Sequence, residues 1–123
     1  MKKNDKQNHV KDFDYNEFRK IADKAPFTQS EWASILHVSE RTLQRYAKSN
    51  GTFASINAER AMQISALLAE GKRTFGKVSM FYEWLNTYPV TMDGSLSLDS
   101  LTSSAGIQQV QTQLGRIQHG ILA

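Results

Sequence analysis

The 123-residue chain contains no cysteine and no long apolar run. The absence of cysteine excludes disulfides and thiolate metal sites, and it is compatible with a reducing cytoplasm. The longest unbroken apolar run, Ala66 to Ala69, is far shorter than the roughly 20 residues that a membrane-spanning helix needs. The first ten residues are polar and lysine-bearing, unlike a secretory signal. We therefore expect a cytoplasmic protein without membrane segments.

Residue types that support catalysis are also scarce. The three histidines, His9, His37 and His119, are not spaced as metal ligands, and no glycine-rich phosphate loop follows a strand. The chain is too short for most large enzyme folds, although it can form one compact domain or two small helical lobes that share a core. We expect a protein that is not an enzyme and has no metal site, cofactor or small-molecule substrate.

Charge is unevenly distributed along the chain. Residues 1–48 contain ten Lys and Arg against seven Asp and Glu, whereas residues 49–123 contain five of each class. From Ser100 onward there is no acidic residue, and Arg116 is the only Lys or Arg. The positive excess of the N-terminal half suits a polyanionic partner.

Apolar periodicity and capping residues predict an all-α architecture. Residues 1–12 are a polar arm that we expect to be disordered. Asp14 and Glu17 form a capping-box pattern at the start of a helix that Pro26 closes. Further helices are predicted from Ser55 or Asn57 to Glu70, through Phe75, Val78, Tyr82 and Leu85, briefly from Ser97 to Leu101, and near the C-terminus. Residues 91–95 read as a turn, and residues 49–52 as a linker.

Residues 28–49 have the pattern of two short helices joined by a tight turn. Thr28 and Glu31 form a capping box, and Ser39 caps the second helix. This pattern resembles a helix-turn-helix DNA-binding motif, whose second helix enters the major groove. The small Ala33 fits the close helix crossing of that motif. His37 replaces the usual glycine of the turn, and histidine tolerates a positive φ better than most residues.

The polar residues left outside the second helix suit base and phosphate recognition. Arginine pairs bidentately with guanine and glutamine with adenine, while hydroxyls and helix N-termini hold phosphates. We place a DNA-binding domain at residues 13–52. Its predicted contact residues are Gln29, Ser39, Arg41, Thr42, Gln44, Arg45 and Lys48. The alternative is a plain helical hairpin with a solvated charged face, but capping, turn and small-residue spacing together favour DNA contact.

The last twenty residues contain an apolar stripe at helical spacing. Its members are Ile107, Val110, Leu114, Ile117 and Ile121. Gly120 can end this helix and leave residues 121–123 as an apolar tail. Such a tail either packs on the protein's own core or faces a partner, and periodicity leaves both interpretations open. A membrane-surface role is excluded because the terminal helix has too few Lys and Arg for anionic lipid.

An ordered set of motifs fills residues 53–123. The set comprises Ala58-Glu59-Arg60, GKRTFG at 71–76, Trp84-Leu85 before Pro89, DGSLSLDSL at 93–101, Gly106-Ile107 and the terminal LGRIQHGILA. In this order and spacing it resembles the toxin-binding domain of Xre/MbcA/ParS antitoxins, and residues 39–45 resemble the helix-turn-helix that precedes that domain. The resemblance covers residues 14–123. Family members usually have Ser at Ala58, Pro at Ser97 and Ala at Phe81, so we expect altered packing around the larger Phe81.

The resemblance implies an antitoxin of a bacterial toxin–antitoxin operon. Its partner would be a RES-domain toxin that consumes NAD, inhibited by an antitoxin that covers its active site. Such antitoxins are homodimers that bind their own promoter DNA and repress the operon. Residues 53–123 would form the toxin-binding domain. We expect its toxin-facing residues to be Arg116, Ile117, His119, Gly120, Ile121, Leu122 and Ala123. The alternative is a stand-alone helix-turn-helix regulator without a toxin.

An aromatic cluster in the second half of the chain offers a possible dimer interface. It comprises Phe75, Phe81, Tyr82 and Trp84. The cluster is larger than a lobe of this size needs for its own core, and aromatic residues are enriched at protein interfaces. The alternative is that all four side chains are buried inside one chain.

Overall fold

The computed structural model describes residues 12–120, which form six α-helices, one short 3-10 helix and one two-stranded hairpin. The elements are α1 Tyr15–Ala22, α2 Gln29–Leu36, α3 Glu40–Ser49, α4 Ser55–Phe75, α5 Val78–Leu85, β1 Val90–Thr91, β2 Gly94–Ser95, the 3-10 helix Leu98–Thr102 and α6 Ser104–Gln118. The two strands pair antiparallel around the turn predicted at residues 91–95. The all-α prediction is confirmed. The arm predicted as disordered lies outside the described residues except for Asp12.

Side-chain caps begin several helices at the positions that the sequence predicts. The Asp14 carboxylate accepts from the backbone N–H of Glu17 at 3.0 Å, so this residue begins α1. Thr28 and Glu31 exchange reciprocal hydrogen bonds at the start of α2. Ser39 caps α3 and Ser97 caps the 3-10 helix. These local predictions are confirmed because the cap and its target lie within three residues of each other.

The start of α4 differs from the prediction. Its N-cap is Ala54, and no side chain caps this helix end. Asn57, one of the two predicted caps, instead donates from its side-chain amide to the Leu36 carbonyl oxygen at 2.7 Å. The prediction of a Ser55 or Asn57 cap is therefore wrong, because Asn57 ties α4 to the C-terminal end of α2.

The end of α4 also differs from the prediction. The helix continues through Gly71 to Phe75 and stops at Gly76, whose φ of 90° is in the left-handed region. Gly71 is buried, and a Cβ there would lie 2.9 Å from Phe81 Cβ. Gly71 is therefore needed for helix packing, and Gly76 provides the stop. Phe75 consequently belongs to α4 and not, as predicted, to the following helix.

A single apolar core extends through both lobes. The first lobe contributes Phe18, Trp32 and Ile35, which are buried together with side chains of α4, α5 and α6. The rings of Phe18 and Phe27 pack edge-on against Trp32, with centroids 5.1 and 5.0 Å away. Residues 12–52 and 53–120 therefore share apolar packing, which fixes the first lobe relative to the second.

The segment predicted as a linker is held against the start of α1. Tyr15 donates its backbone N–H to the Gly51 carbonyl oxygen at 2.9 Å. Asn50, in the left-handed conformation with a φ of 51°, accepts from the Asn16 backbone and donates to the Asp14 carboxylate. Residues 49–52 are thus ordered, and their hydrogen bonds hold the end of α3 against the start of α1.

Candidate nucleic-acid interface and partner-facing end

The turn between α2 and α3 has the geometry that the sequence predicts. His37 adopts φ 60° and ψ 40°, and the backbone N–H of Val38 donates to the Ala33 carbonyl oxygen at 3.1 Å. Ala33 is buried. The His37 ring makes a contact that the sequence does not predict, because its Nε2–H donates to the Thr102 carbonyl oxygen at 2.7 Å. The side chain in the turn therefore connects the helix-turn-helix to the 3-10 helix.

Four of the predicted DNA-binding residues share one exposed face of α3. Arg41, Gln44, Arg45 and Lys48 are all exposed, while Leu43 is the buried residue of this helix. Their spacing of three and four residues places them side by side, and we call this set the α3 face. Within residues 12–120 these four side chains have no ion-pair partner. The Arg45 guanidinium lies 5.5 Å from the Tyr46 ring centroid, and the other three point into solvent.

The two predicted hydroxyl contacts have a structural role at the start of α3. Ser39 Oγ accepts from the Thr42 backbone N–H and donates to Thr42 Oγ1, both at 2.9 Å. Thr42 is half-buried. These two hydroxyls stabilise the N-terminus of α3. The α3 face offers a larger polar surface than they do.

Gln29 lies close to part of the α3 face. It is the first residue of α2 and is exposed. Together with Gln44 and Lys48 it lines a groove of about 510 Å³ between α1, α2 and α3, which we call the α3 groove. Arg41 and Arg45 do not line this groove. Gln29 therefore lies in the same groove as Gln44 and Lys48, and Arg41 and Arg45 lie outside it.

The C-terminal helix is anchored by its apolar stripe. Ile107, Val110 and Leu114 are buried and Ile117 is half-buried. Gln118 donates to Thr74 Oγ1 of α4 at 2.7 Å, which fixes the last turn of α6. The first part of the stripe therefore packs on the protein's own core, as one of the two predicted interpretations requires.

The predicted toxin-facing residues lie at the end of α6 and just beyond it. Arg116 Nη1 is 3.8 Å from an Asp93 carboxylate oxygen, so its side chain reaches toward the hairpin. The His119 ring donates from Nδ1 to the Gly115 carbonyl oxygen at 2.8 Å, and Gly120 has a φ of 74°. A glycine in this conformation turns the chain away from the helix axis. The predicted contacts Ile121, Leu122 and Ala123 lie outside the described residues.

Three large apolar side chains on the hairpin were not singled out from the sequence. Tyr88, Val90 and Met92 are 65, 77 and 80% exposed, and Tyr88 has a φ of 54°. Their alternating positions are the strand pattern that could have identified them. Asp93 follows Met92 and pairs with Arg116, so the apolar hairpin lies beside the end of α6.

The aromatic cluster is mostly internal. Phe81 is fully buried and stacks against Phe75 and Trp84, with ring centroids 6.4 and 6.2 Å away. The Tyr82 hydroxyl donates to the Glu31 carboxylate at 3.1 Å. Phe81 is therefore not available to a second copy of the chain, while the other three rings remain half-buried.

Two classes of site are not found in the part of the chain that the structure describes. Between residues 12 and 120, no helix combines the length and the apolar character needed to cross a membrane. Over the same range, no three His, Asp or Glu side chains are grouped so that they could hold a metal ion.

Comparison with protein families shows what the first lobe and the start of α4 are similar to. Residues 16–66 match the profile of the antitoxin Xre-like helix-turn-helix domain. The match includes the His37 turn, the α3 face and the first half of α4. No curated protein matches the chain. Residues 16–66 are therefore similar to antitoxin Xre-like helix-turn-helix domains, and this similarity supports a DNA-binding regulator of the antitoxin type.

Proposed function

We propose that this protein is an antitoxin that binds its own promoter DNA through α3 and inhibits a RES-domain, NAD-consuming toxin by covering the toxin's active site. The observation that supports it best is a match to an antitoxin-type helix-turn-helix whose α3 face is exposed and has no ion pair with any residue between 12 and 120. The protein acts by binding alone, without catalysis or a cofactor. It works as a homodimer, and its operator should therefore contain two half-sites that match a two-fold symmetric protein.

Promoter binding is tested by comparing two substitutions on the α3 face. Arg45→Ala should weaken binding by about 1–3 kcal/mol and relax the sequence preference, because arginine reads guanine edges. Lys48→Ala should weaken binding to all sequences alike, because lysine contacts phosphates. Arg19→Ala is the matched control, since Arg19 is exposed but lies on α1 beside Asp23.

The measurement is a footprint of the upstream region at several salt concentrations. Protection of two half-sites about one helical turn apart supports a dimeric repressor. If wild-type protein shows no sequence preference at any salt concentration, promoter recognition is refuted.

The toxin-binding proposal is supported by the surface around the end of α6. The helix is fixed by its buried stripe and by the Gln118–Thr74 hydrogen bond, and Gly120 redirects the chain beyond it. The exposed Val90 and Met92 lie beside this end through the Asp93–Arg116 pair. Exposed apolar groups of this kind mark protein interaction surfaces. A rigid helix end beside an apolar hairpin suits a protein partner with a concave site.

Deletion of residues 120–123 tests the inhibitory role of the C-terminal segment. Toxin inhibition should be lost while Tm and promoter binding remain nearly unchanged, because the buried and half-buried stripe members from Ile107 to Ile117 are all retained. A Met92→Glu variant gives a second test, since a charge on the hairpin should weaken toxin capture and leave DNA binding intact. If the truncated protein unfolds, or still neutralises the toxin fully, the segment is structural or dispensable and the assignment is wrong.

The second candidate function is a stand-alone transcriptional regulator. The family match favours it equally, since the match lies on the DNA-reading part of the chain. A neighbouring gene for a RES-type protein, or co-purification with such a protein, supports the antitoxin. A chain purified alone from its native cells, encoded beside no such gene, supports the regulator.

A further inference from the structure

A second basic surface lies outside the helix-turn-helix. A groove of about 680 Å³ runs between α1, α4 and the α4–α5 turn. Three exposed lysines, Lys24, Lys72 and Lys77, lie along it, and no acidic residue lines it. Among residues 12–120 none of these lysines has an ion-pair or hydrogen-bond partner for its ammonium group. We call this surface the lysine groove.

The lysine groove lies beside the α3 groove, on the other side of α1. Ala22 lines the α3 groove, whereas its neighbour Ile21 lines the lysine groove together with Lys24. The C-terminal turn of α1 therefore separates two grooves that both contain exposed lysines, with Lys48 on one side and Lys24 on the other.

Helix α5 connects the lysine groove to the start of α2. The Tyr82 hydroxyl donates to Glu31, whose carboxylate accepts from the Thr28 backbone at the N-terminus of α2. In helix-turn-helix complexes the first helix of the motif crosses the DNA backbone. Lys77 precedes Tyr82 by five residues, which is about 7.5 Å along a helix axis. Lys77 thus lies at the N-terminus of the helix whose Tyr82 contacts the start of α2.

The lysine groove is separate from the partner-facing end of α6. Glu70 and Thr74 are on the side of α4 that contacts α6, since Thr74 accepts from Gln118. Lys72 lies two residues from each of them, and two residues correspond to about 200° around a helix. Lys72 therefore points to the opposite side of α4, where no toxin contact is proposed.

We propose that Lys24, Lys72 and Lys77 bind the phosphate backbone of operator DNA beyond the base pairs that α3 reads. This inference depends on the proposed promoter binding and extends the DNA interface onto the second lobe. Duplex DNA is the occupant that the charge pattern fits, because three ammonium groups that pair with no carboxylate of residues 12–120, in a groove that no acidic residue lines, match a row of phosphates. Such contacts position the protein on DNA and add no sequence information.

The test removes the three charges together. The variant Lys24→Gln, Lys72→Gln, Lys77→Gln is compared with a control, Arg19→Gln, Lys20→Gln, Arg73→Gln, which removes the same net charge. The control residues lie on α1 and α4, and each is already paired with a carboxylate. All six positions are exposed, so both proteins should retain the wild-type Tm.

The measurement is the salt dependence of binding between the full-length protein and a duplex of its upstream region. Each phosphate contact contributes about 0.9 to the slope of log K against log salt concentration, so the triple variant should lower the slope by about 2.7. Between 50 and 200 mM salt this corresponds to a difference of about 40-fold in the loss of affinity. The ratio of specific to scrambled-duplex affinity should stay at the wild-type value. Lys77→Gln alone should lower the slope by about 1.

The outcomes separate this inference from promoter recognition. A triple variant with the wild-type slope overturns the inference even if wild-type protein prefers its promoter. If wild-type protein binds duplexes without preference, promoter recognition fails, but the slope difference on that binding still decides the role of the lysines. If wild-type protein binds no duplex, both are refuted. If the triple variant loses toxin capture and keeps DNA affinity, the lysine groove is a protein-binding surface and the inference is wrong.

Discussion

The close packing of Gly71 against Phe81 predicts that Gly71→Ala destabilises the wild-type protein but stabilises a variant that lacks the Phe81 ring. Gly71 lies inside α4, where a Cβ would be 2.5 Å from Phe81 Cδ2. The Phe81 ring is fully buried and has Phe75 and Trp84 stacked against it. Because the ring has no space into which it can move, an alanine at position 71 must displace packed side chains or the backbone.

The magnitude follows from two opposing contributions. Replacing a helical glycine with alanine normally stabilises by about 1 kcal/mol. Overpacking a core costs about 1–3 kcal/mol, and the upper part of this range applies because the overlap involves the base of a confined ring. Gly71→Ala should therefore lower the free energy of unfolding by about 1–2 kcal/mol. Phe81→Ala should lower it by about 3–5 kcal/mol. In the Phe81→Ala background the overlap with the ring is absent and only the 2.9 Å approach to Cβ remains. Because the cavity left by the ring gives this Cβ room to shift, Gly71→Ala should stabilise by up to about 1 kcal/mol.

The assay is urea unfolding of the four full-length proteins of this double-mutant cycle, followed by circular dichroism. A coupling energy of about 2–3 kcal/mol between the two positions is expected. Gly115→Ala is the control, because nothing lies within 4 Å of a Cβ at this position of α6. It should stabilise by about 1 kcal/mol in both backgrounds. If Gly71→Ala stabilises the wild-type protein, or keeps the same sign in both backgrounds, the packing argument is refuted.

Three further stability predictions concern connections between elements, and the same unfolding assay checks each of them. His37→Gly should change stability by less than about 1 kcal/mol, because it relieves the left-handed backbone but removes the hydrogen bond to Thr102. His37→Ala should destabilise by about 1–2 kcal/mol, because it removes this hydrogen bond without relieving the backbone. Equal effects of the two variants would contradict strain in the left-handed backbone, and a neutral His37→Ala would contradict a role for the ring. Gly106→Ala should destabilise by about 3 kcal/mol, because its Cβ would lie 2.8 Å from the Ser100 carbonyl carbon; a neutral result would refute this close approach. Asn50→Ala should destabilise by about 1–2 kcal/mol through the lost bonds to α1, and an unchanged midpoint would mean that the connection contributes nothing.

The sequence predicts the helix-turn-helix well because its determinants are local. Thr28 with Glu31 and Ser39 with Thr42 act over three residues, and the His37 turn spans two adjacent positions. The α3 face follows from helical spacing alone. Gly71 shows the limit of such reasoning, because the same residue type ends helices and relieves close packing. Only the position of Phe81, ten residues later in the chain, decides between these roles.

Contacts between distant segments could not be predicted. The His37 ring meets Thr102 sixty-five residues away, and Arg116 meets Asp93 only because the hairpin folds beside α6. The lysine groove likewise combines residues of α1 and of the α4–α5 turn. A sequence pattern shows which residues share one helix face, but the packing of several helices determines which faces meet.

The exposure of the α3 face has a consequence for how the proposed DNA recognition can change after gene duplication. Because Arg41, Gln44, Arg45 and Lys48 are exposed while Leu43 supplies the buried contact of α3, a few exchanges on this face can alter the DNA sequence that is bound at little cost in stability. The end of α6 stays the same in such variants. Under the proposed function, two duplicated copies can therefore bind different operators while each still neutralises the toxin of the other.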